Sequence, residues 1–225
     1  MLLEECIHGD LFDYISTNGA IKDQKLLKYM FLQICSGVTA VHTVAQKAHL
    51  DLKLENILIG SDEQLKICDF GMAAPINADL VKRQGTETYI APEIENKRSD
   101  ETYKGQQADI FSLGVLLWIM HFARPPFTSS SNNDRMYPLL QRKPEIFWKL
   151  HPTVKKLTVP VDQDFKNLME SMLNRDLNVR PQTIEEVLVH PYFTKEEGLL
   201  DSLTNQWDEG CLENLKSGFR EHLSK

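Results

Sequence analysis

Apolar residues recur at helical spacing over residues 25–42. They fall three or four positions apart along one face: Leu27, Met30, Phe31, Ile34, Val38 and Val41. Asp23 precedes this stretch, and a carboxylate there stabilises a helix N-terminus. The pattern therefore predicts an amphipathic helix.

Two short apolar runs, residues 57–59 and 65–68, come next along the chain. Gly60, Ser61 and Asp62 follow the first run, and such residues favour a tight turn. The pattern predicts a small β hairpin.

Further helices are predicted in the second half of the chain. Apolar residues recur at helical spacing around Leu168, and Thr183 with Glu186 forms a capping box. The apolar run 110–120 is about half the roughly 20 residues that a membrane span needs, so it predicts a buried helix. We expect a fold that is mainly α with small β hairpins. Another amphipathic helix is predicted near the C-terminus, where four apolar residues share one face: Leu212, Leu215, Phe219 and Leu223.

Composition narrows the class of protein. The 225 residues are 42% hydrophobic and 25% charged, which is enough for one sizeable core. A net charge of -7 without a basic run argues against nucleic acid as a partner. Four scattered cysteines predict reduced thiols, and an acidic N-terminus does not match an export signal. We expect a soluble cytoplasmic or nuclear protein with no membrane partner.

Three short motifs occur in a fixed order. Residues 49–56 read H-L-D-L-K-L-E-N, residues 69–71 read D-F-G, and residues 91–93 read A-P-E. The predicted hairpin lies between the first two. In this order the motifs resemble the catalytic loop and activation segment of eukaryotic Ser/Thr protein kinases. Residues 9–15 resemble the helix after the interlobe hinge in calcium/calmodulin-kinase-like enzymes, so the likeness covers most of the large, C-terminal lobe.

The resemblance implies ATP and Mg²⁺ as cofactors and Ser/Thr-bearing proteins as substrates. Asp51 would orient the acceptor hydroxyl and take its proton, and Lys53 would stabilise the transferred phosphoryl group. Asn56 and Asp69 would bind Mg²⁺ through oxygen atoms.

Other positions acquire roles by the same resemblance. The backbone of Glu4 and Cys6 would meet adenine, Leu58 would lie beneath it, and Asp10 would reach ribose or a basic substrate residue. Thr86 and Glu55 would position the substrate. The remaining matches are structural: His49 and Phe70 in a hydrophobic spine, Gly71 at a turn, Asp109 holding the catalytic loop, and Glu93 paired with Arg180.

The resemblance also predicts the domain organisation. Residues 1–5 match a remnant of the hinge, 6–193 the large lobe, and 194–225 a C-terminal extension whose helix would fold back or bind a regulatory protein. No Gly-rich phosphate loop occurs in the sequence, so we expect the small lobe to be missing, through truncation or in a natural fragment, and this chain to be feeble or inactive alone. The alternative is a non-catalytic, kinase-like binding module.

One departure concerns regulation. Leu50 replaces the catalytic-loop Arg that pairs with a phosphorylated activation segment in many kinases, and residues 72–84 contain no Ser, Thr or Tyr. We therefore predict that phosphorylation between Asp69 and Gly85 does not activate this protein.

Overall fold

The computed structural model describes residues 5–61 and 63–195. Glu4 and the predicted C-terminal amphipathic helix lie outside the described residues. The helices are α1 Leu11–Asn18, α2 Gln24–Thr43, α3 Pro92–Glu95, α4 Gly105–Phe122, α5 Tyr137–Arg142, α6 Pro144–Leu150, α7 Gln163–Met172, α8 Ile184–Leu188 and α9 Pro191–Thr194. The strands are β1 Lys47–Ala48, β2 Ile57–Ile59, β3 Leu65–Ile67 and β4 Ala74–Pro75.

Helix α2 matches the predicted amphipathic helix, with one more residue at each end. Asp23 caps it, because its Oδ1 accepts the backbone N–H groups of Lys25 and Leu26 at 2.8 and 3.2 Å. These bonds satisfy donors that the first helical turn leaves unpaired. The apolar stripe, which includes Met30 and Phe31, is buried in the core.

Helix α4 crosses the middle of the molecule, and nearly all of its side chains are buried. Gly114 lets α7 approach closely, since a Cβ at this position would lie 3.0 Å from Met172 Cβ and 3.0 Å from Leu173 Cδ2. The apolar run 110–120 is therefore a core helix, as predicted. Among the described residues, no helix combines the length and apolarity needed to span a membrane.

The predicted hairpin is formed by β2 and β3, which pair antiparallel with Ile57 opposite Ile67 and Ile59 opposite Leu65. It packs on α2, where Gln33 Oε1 accepts the Leu65 N–H at 2.9 Å. The segment before β2 and the segment after β3 therefore lie at the same end of the hairpin.

A second two-stranded sheet pairs β1 with β4, with Ala48 opposite Ala74. Gly105, the first residue of α4, is required beneath β1, because a Cβ there would lie 2.4 Å from Ala48 Cβ. Residues 49–56 therefore begin where β1 packs on α4, and β4 brings the segment after Asp69 back to the same sheet.

His121 near the end of α4 is a buried titratable group. Its ring lies 4.3 Å from the rings of Phe122 and Phe165, and burial lowers its pKa to about 4, against a smaller opposing effect of Asp162. Because folding lowers the pKa of His121, protonation of this residue favours the unfolded chain. Its contribution to the free energy of unfolding is therefore fully present above the unfolded pKa near 6.5 and is lost as the pH falls towards 4.

We expect His121→Leu to reduce this acid sensitivity. Between pH 7 and 5 the native chain should lose about 1 to 2 kcal/mol of unfolding free energy through this residue, and the variant should not. Urea unfolding at both pH values measures the difference. Equal losses of unfolding free energy in both proteins would show that the pKa of His121 is not lowered in the folded state.

Candidate active site

A buried carboxylate on α4 holds the start of the segment 49–56. Asp109 is fully buried, and its Oδ2 accepts the His49 N–H while its Oδ1 accepts the Leu50 N–H, both at 2.7 Å. Leu50 has a φ of 68°, a left-handed conformation that is rare for leucine. The two charge-assisted bonds stabilise this turn and set the direction of the chain into Asp51.

His42 on α2 completes the surroundings of Asp109. Its Nε2 lies 2.8 Å from Asp109 Oδ2, and both side chains are buried. Sequence reasoning missed this residue, because the partners lie far apart in the chain and nothing in the helical pattern of α2 marks a histidine as a buried partner. His42 gives Asp109 a third polar contact, which helps to offset the free-energy cost of burying the carboxylate.

The His49 ring links two of the sequence motifs. Its Nδ1 accepts the Asp51 N–H at 3.3 Å, and its Nε2 donates to the Cys68 carbonyl oxygen at 2.9 Å. The Cys68 N–H in turn donates to the Asn56 carbonyl oxygen at 3.0 Å. The residue before Asp69 is therefore bonded to the 49–56 segment at two points, which places the D-F-G motif beside it.

Four polar side chains form one hydrogen-bonded cluster. Asp51 is 4% exposed; its Oδ2 lies 3.0 Å from Lys53 Nζ and its Oδ1 accepts the Thr86 hydroxyl at 2.7 Å. Lys53 Nζ also donates to Thr86 Oγ1 at 3.1 Å, and Asn56 Nδ2 donates to the Asp51 carbonyl oxygen at 2.8 Å and to Oδ2 at 3.3 Å. Asp51, Lys53, Asn56 and Thr86 thus meet at a single place.

Gly85 brings Thr86 into this cluster. Its φ is 107°, and a Cβ would lie 3.0 Å from the Leu50 carbonyl oxygen, so only glycine fits without strain. Further along, the Ser112 hydroxyl donates to the Tyr89 carbonyl oxygen at 2.8 Å, which fastens the segment to α4.

Asp69 has the left-handed conformation of the D-F-G motif, with a φ of 59°. Gly71 lies in the turn that follows, which the Ala73 N–H closes by donating to the Phe70 carbonyl oxygen at 3.0 Å. Asp69 Oδ1 accepts the Gly71 N–H at 3.2 Å, and a Cβ at Gly71 would lie 3.1 Å from that oxygen. Glycine is therefore favoured here by close approach, and an aspartate tolerates the turn because its side chain bonds the local backbone.

Two oxygen donors of this region suit Mg²⁺. Asn56 Nδ2 is engaged by Asp51, which leaves Asn56 Oδ1 as the free end of the amide, and Asp69 is exposed with one carboxylate oxygen that makes no hydrogen bond among the described residues. Mg²⁺ prefers oxygen ligands and commonly takes one or two from protein, with the rest from phosphates and water. In the described part of the chain no denser group of metal-ligating side chains occurs.

Phe70 contacts His49, with ring centroids 5.0 Å apart and planes at 57°. The two rings are tilted against each other, and 48% of Phe70 is exposed. Because His49 is buried, the exposed surface of this pair belongs to Phe70.

Leu58 and Asp10 pair across a β bridge, so that the start of α1 lies on strand β2. Asp10 also caps α1, because its Oδ1 accepts the Asp13 N–H at 2.8 Å. Asp10 therefore has a structural role as a helix cap. The resemblance predicted for the same residue a contact with ribose or with a basic substrate residue.

Cys68 shows which groups surround this end of the site. Burial raises the pKa of its thiol, and interactions with Asp69, Cys6 and Asp10 raise it further, whereas Lys53 lowers it. Cys6 and Asp10, which were predicted for the nucleotide, and Asp69, which was predicted for the metal, thus all lie near enough to act on the same half-buried thiol. The raised pKa argues against a reactive thiolate.

Glu93 and Arg180 form a bidentate pair at 2.7 and 3.0 Å. Arg180 is 1% exposed and also donates to the carbonyl oxygens of Asn174 and Gln107. This pair joins the A-P-E segment to the loop before α8. Glu55, by contrast, is exposed and lies at a cavity beside Thr86.

The fold, and the contacts of the 49–56 segment with the D-F-G motif and with Thr86, define the class of a protein kinase, and comparison with known families agrees. The protein kinase domain model matches residues 1–193, so the chain belongs to the protein kinase domain family. Its fold is that of this family, helical with a few short strands.

Its relatives are Ser/Thr protein kinases, which are transferases. The chain is similar to the probable serine/threonine-protein kinase CCRP1 of Zea mays, with 34% identity over 85% of this chain and 29% of the relative. It is 32% identical to serine/threonine-protein kinase SRK2A of Arabidopsis thaliana over 86% of this chain and 51% of that protein. It is 30% identical to the probable cell cycle serine/threonine-protein kinase CDC5 homolog of Encephalitozoon cuniculi over 95% of this chain and 44% of that protein. The chain thus spans about half or less of the length of these relatives.

Proposed function

We propose that this chain forms the large lobe of a Ser/Thr protein kinase and transfers the terminal phosphoryl group of ATP to Ser or Thr hydroxyls of proteins. The observation that carries the proposal is the cluster of Asp51, Lys53, Asn56 and Thr86, bonded through Cys68 to the segment of Asp69.

Asp51 is the proposed proton acceptor. Its carboxylate orients the acceptor hydroxyl and takes its proton as the new oxygen–phosphorus bond forms and the bond to the β–γ bridging oxygen breaks, with ADP as the leaving group. Lys53, 3.0 Å from Asp51, supplies a positive charge at the transferred group. Mg²⁺ on Asn56 and Asp69 would neutralise phosphate charge when bound.

The nucleotide is proposed to lie along the side formed by Cys6, Asp10 and Leu58; the adenine contact predicted for Glu4 falls outside the described residues. The same proposal includes a closer relationship to calcium/calmodulin-kinase-like enzymes, which the resemblance of residues 9–15 supports. Because the 225 residues contain no Gly-rich loop, we expect the isolated chain to bind ATP weakly and transfer slowly.

A long incubation at high protein concentration tests this function. The chain is mixed with ATP labelled on its terminal phosphate, Mg²⁺ and a degenerate Ser/Thr peptide. We expect slow labelling of peptide Ser or Thr that requires Mg²⁺. No labelling would refute catalysis by this chain and favour a non-catalytic binding module.

The segment 72–84 is positioned without a phosphate. Asp79 pairs with Lys104 at 2.8 Å, and Arg83 pairs with Glu95 at 2.5 Å. These contacts, together with the absence of Ser, Thr and Tyr, support the proposal that activation does not depend on phosphorylation of this segment.

Thr86 tests positioning within the cluster. We expect Thr86→Ala to lower the transfer rate about tenfold or more, since it removes hydrogen bonds to both Asp51 and Lys53. Thr86→Ser, which keeps the hydroxyl, should retain most of the activity. Thr86→Glu should also be impaired; a rate above that of the native chain would instead identify Thr86 as an activating phosphorylation site.

A further inference from the structure

A cavity of about 590 Å³ opens beside the catalytic cluster. Its walls come from α1, the end of α4 and the segment around Thr86, and they include Phe12, Ile15, Glu55, Ile119 and Arg124. Its volume falls within the range of roughly 300–1,000 Å³ that is usual for ligand pockets.

The cavity adjoins the place where the acceptor hydroxyl would lie. Thr86 lines it and also donates its hydroxyl to Asp51 at 2.7 Å. Glu55 lines it as well and lies next to Asn56 in the chain. A peptide with its Ser or Thr at Asp51 therefore places a neighbouring side chain in this cavity.

Its interior is mostly apolar. Ile15 and Ile119 line the cavity but are only 5% and 8% exposed, so Phe12, which is 46% exposed, supplies most of the accessible apolar surface of these three residues. An aliphatic or aromatic side chain entering here would remove this surface from water, and such burial favours binding.

The charges at the cavity oppose each other. Glu55 and Arg124 are both exposed, and within the described residues neither side chain forms a hydrogen bond or ion pair. Glu55 alone would attract a basic substrate residue. Arg124 offsets this attraction, so an entering Lys or Arg would lose contact with water without a net favourable charge interaction.

We propose that this cavity is a specificity site that takes a large apolar residue flanking the acceptor Ser or Thr and discriminates against a basic one. The inference rests on the proposed function, because it assumes that a protein substrate lies with its hydroxyl at Asp51. Arg124 is the residue that determines the charge preference.

Peptide binding tests the preference without requiring phosphoryl transfer. Fluorescent peptides carry Ala at the acceptor position and either Leu or Arg at each of the three positions before and after it, one position at a time. Anisotropy with the 225-residue chain should reveal one position at which Leu binds about five- to tenfold more tightly than Arg. Equal binding at every position, or no binding of any peptide, would overturn the inference.

Two charge-reversal variants locate the cause. Arg124→Glu should shift the preference at that position towards Arg, whereas Arg142→Glu, the same change at an exposed residue of α5 outside the cavity, should leave it unchanged. Ile119→Ala should weaken the Leu peptide more than the Arg peptide. If both charge reversals act alike, the cavity does not set the preference. Failure of the proposed function is distinguishable from failure of this inference, because in that case no peptide would be labelled by ATP.

Discussion

Arg180→Ala is expected to lower the unfolding free energy of the chain by about 3–5 kcal/mol, as removal of one partner of a buried ion pair does. The substitution leaves Glu93, whose side chain is 14% exposed, without its cation. It also removes the donors to the carbonyl oxygens of Asn174 and Gln107. Urea unfolding followed by circular dichroism measures the loss.

Arg83→Ala is the matched control. Its partner is also a glutamate, Glu95, but the Arg83 side chain is 51% exposed, and exposed pairs contribute about 0–1 kcal/mol. Arg180→Lys should be intermediate, because lysine keeps the charge and loses the planar fork. An Arg180→Ala protein as stable as Arg83→Ala would contradict a structural role for the pair.

Asp51→Asn is expected to lower the rate of phosphoryl transfer about 10²- to 10⁴-fold, the usual contribution of a general base. Asparagine preserves the shape of the side chain but cannot take a proton from the acceptor hydroxyl. The initial rate of labelled peptide formation at high ATP concentration measures the effect.

Asp100→Asn provides the control for this loss, since it makes the same change at an exposed aspartate outside the cluster. Its rate should equal that of the native chain. Unfolding curves show whether each variant is folded. A folded Asp51→Asn protein with an unchanged rate would remove Asp51 from the mechanism.

Local sequence patterns predicted much of the fold. The stripe of α2 and its Asp23 cap, the apolar run of α4 and the β2–β3 hairpin all depend on residues close together in the chain, where spacing is informative. The short helices α3, α5 and α6 were not predicted, because they span too few residues to show a clear period.

The candidate site was predicted only as a set of motif residues. Sequence order suggested that Asp51 and Asp69 belong to one site, but the bonds that join their segments run through the His49 ring and the backbone of Cys68. His42 was missed because its bond to Asp109 depends on how two helices pack, and no local pattern encodes that contact.

The cavity illustrates the same limit. Glu55 lies within a motif and was singled out, whereas Arg124 follows a core helix and has no motif of its own. Only the packing of α1 against the end of α4 brings Phe12 and Arg124 to the same space as Glu55. A charge preference set by two residues distant in sequence could therefore be inferred only from the structure.

Mg²⁺-dependent nucleotide binding tests the central claim, that Asn56 and Asp69 form a metal–nucleotide site beside Asp51. A fluorescent ATP analogue is titrated with the native chain and with Asp69→Asn, with and without Mg²⁺. We expect weak binding that strengthens with Mg²⁺ in the native chain and does not in the variant. The same Mg²⁺ response in both proteins, or none in the native chain, would contradict it.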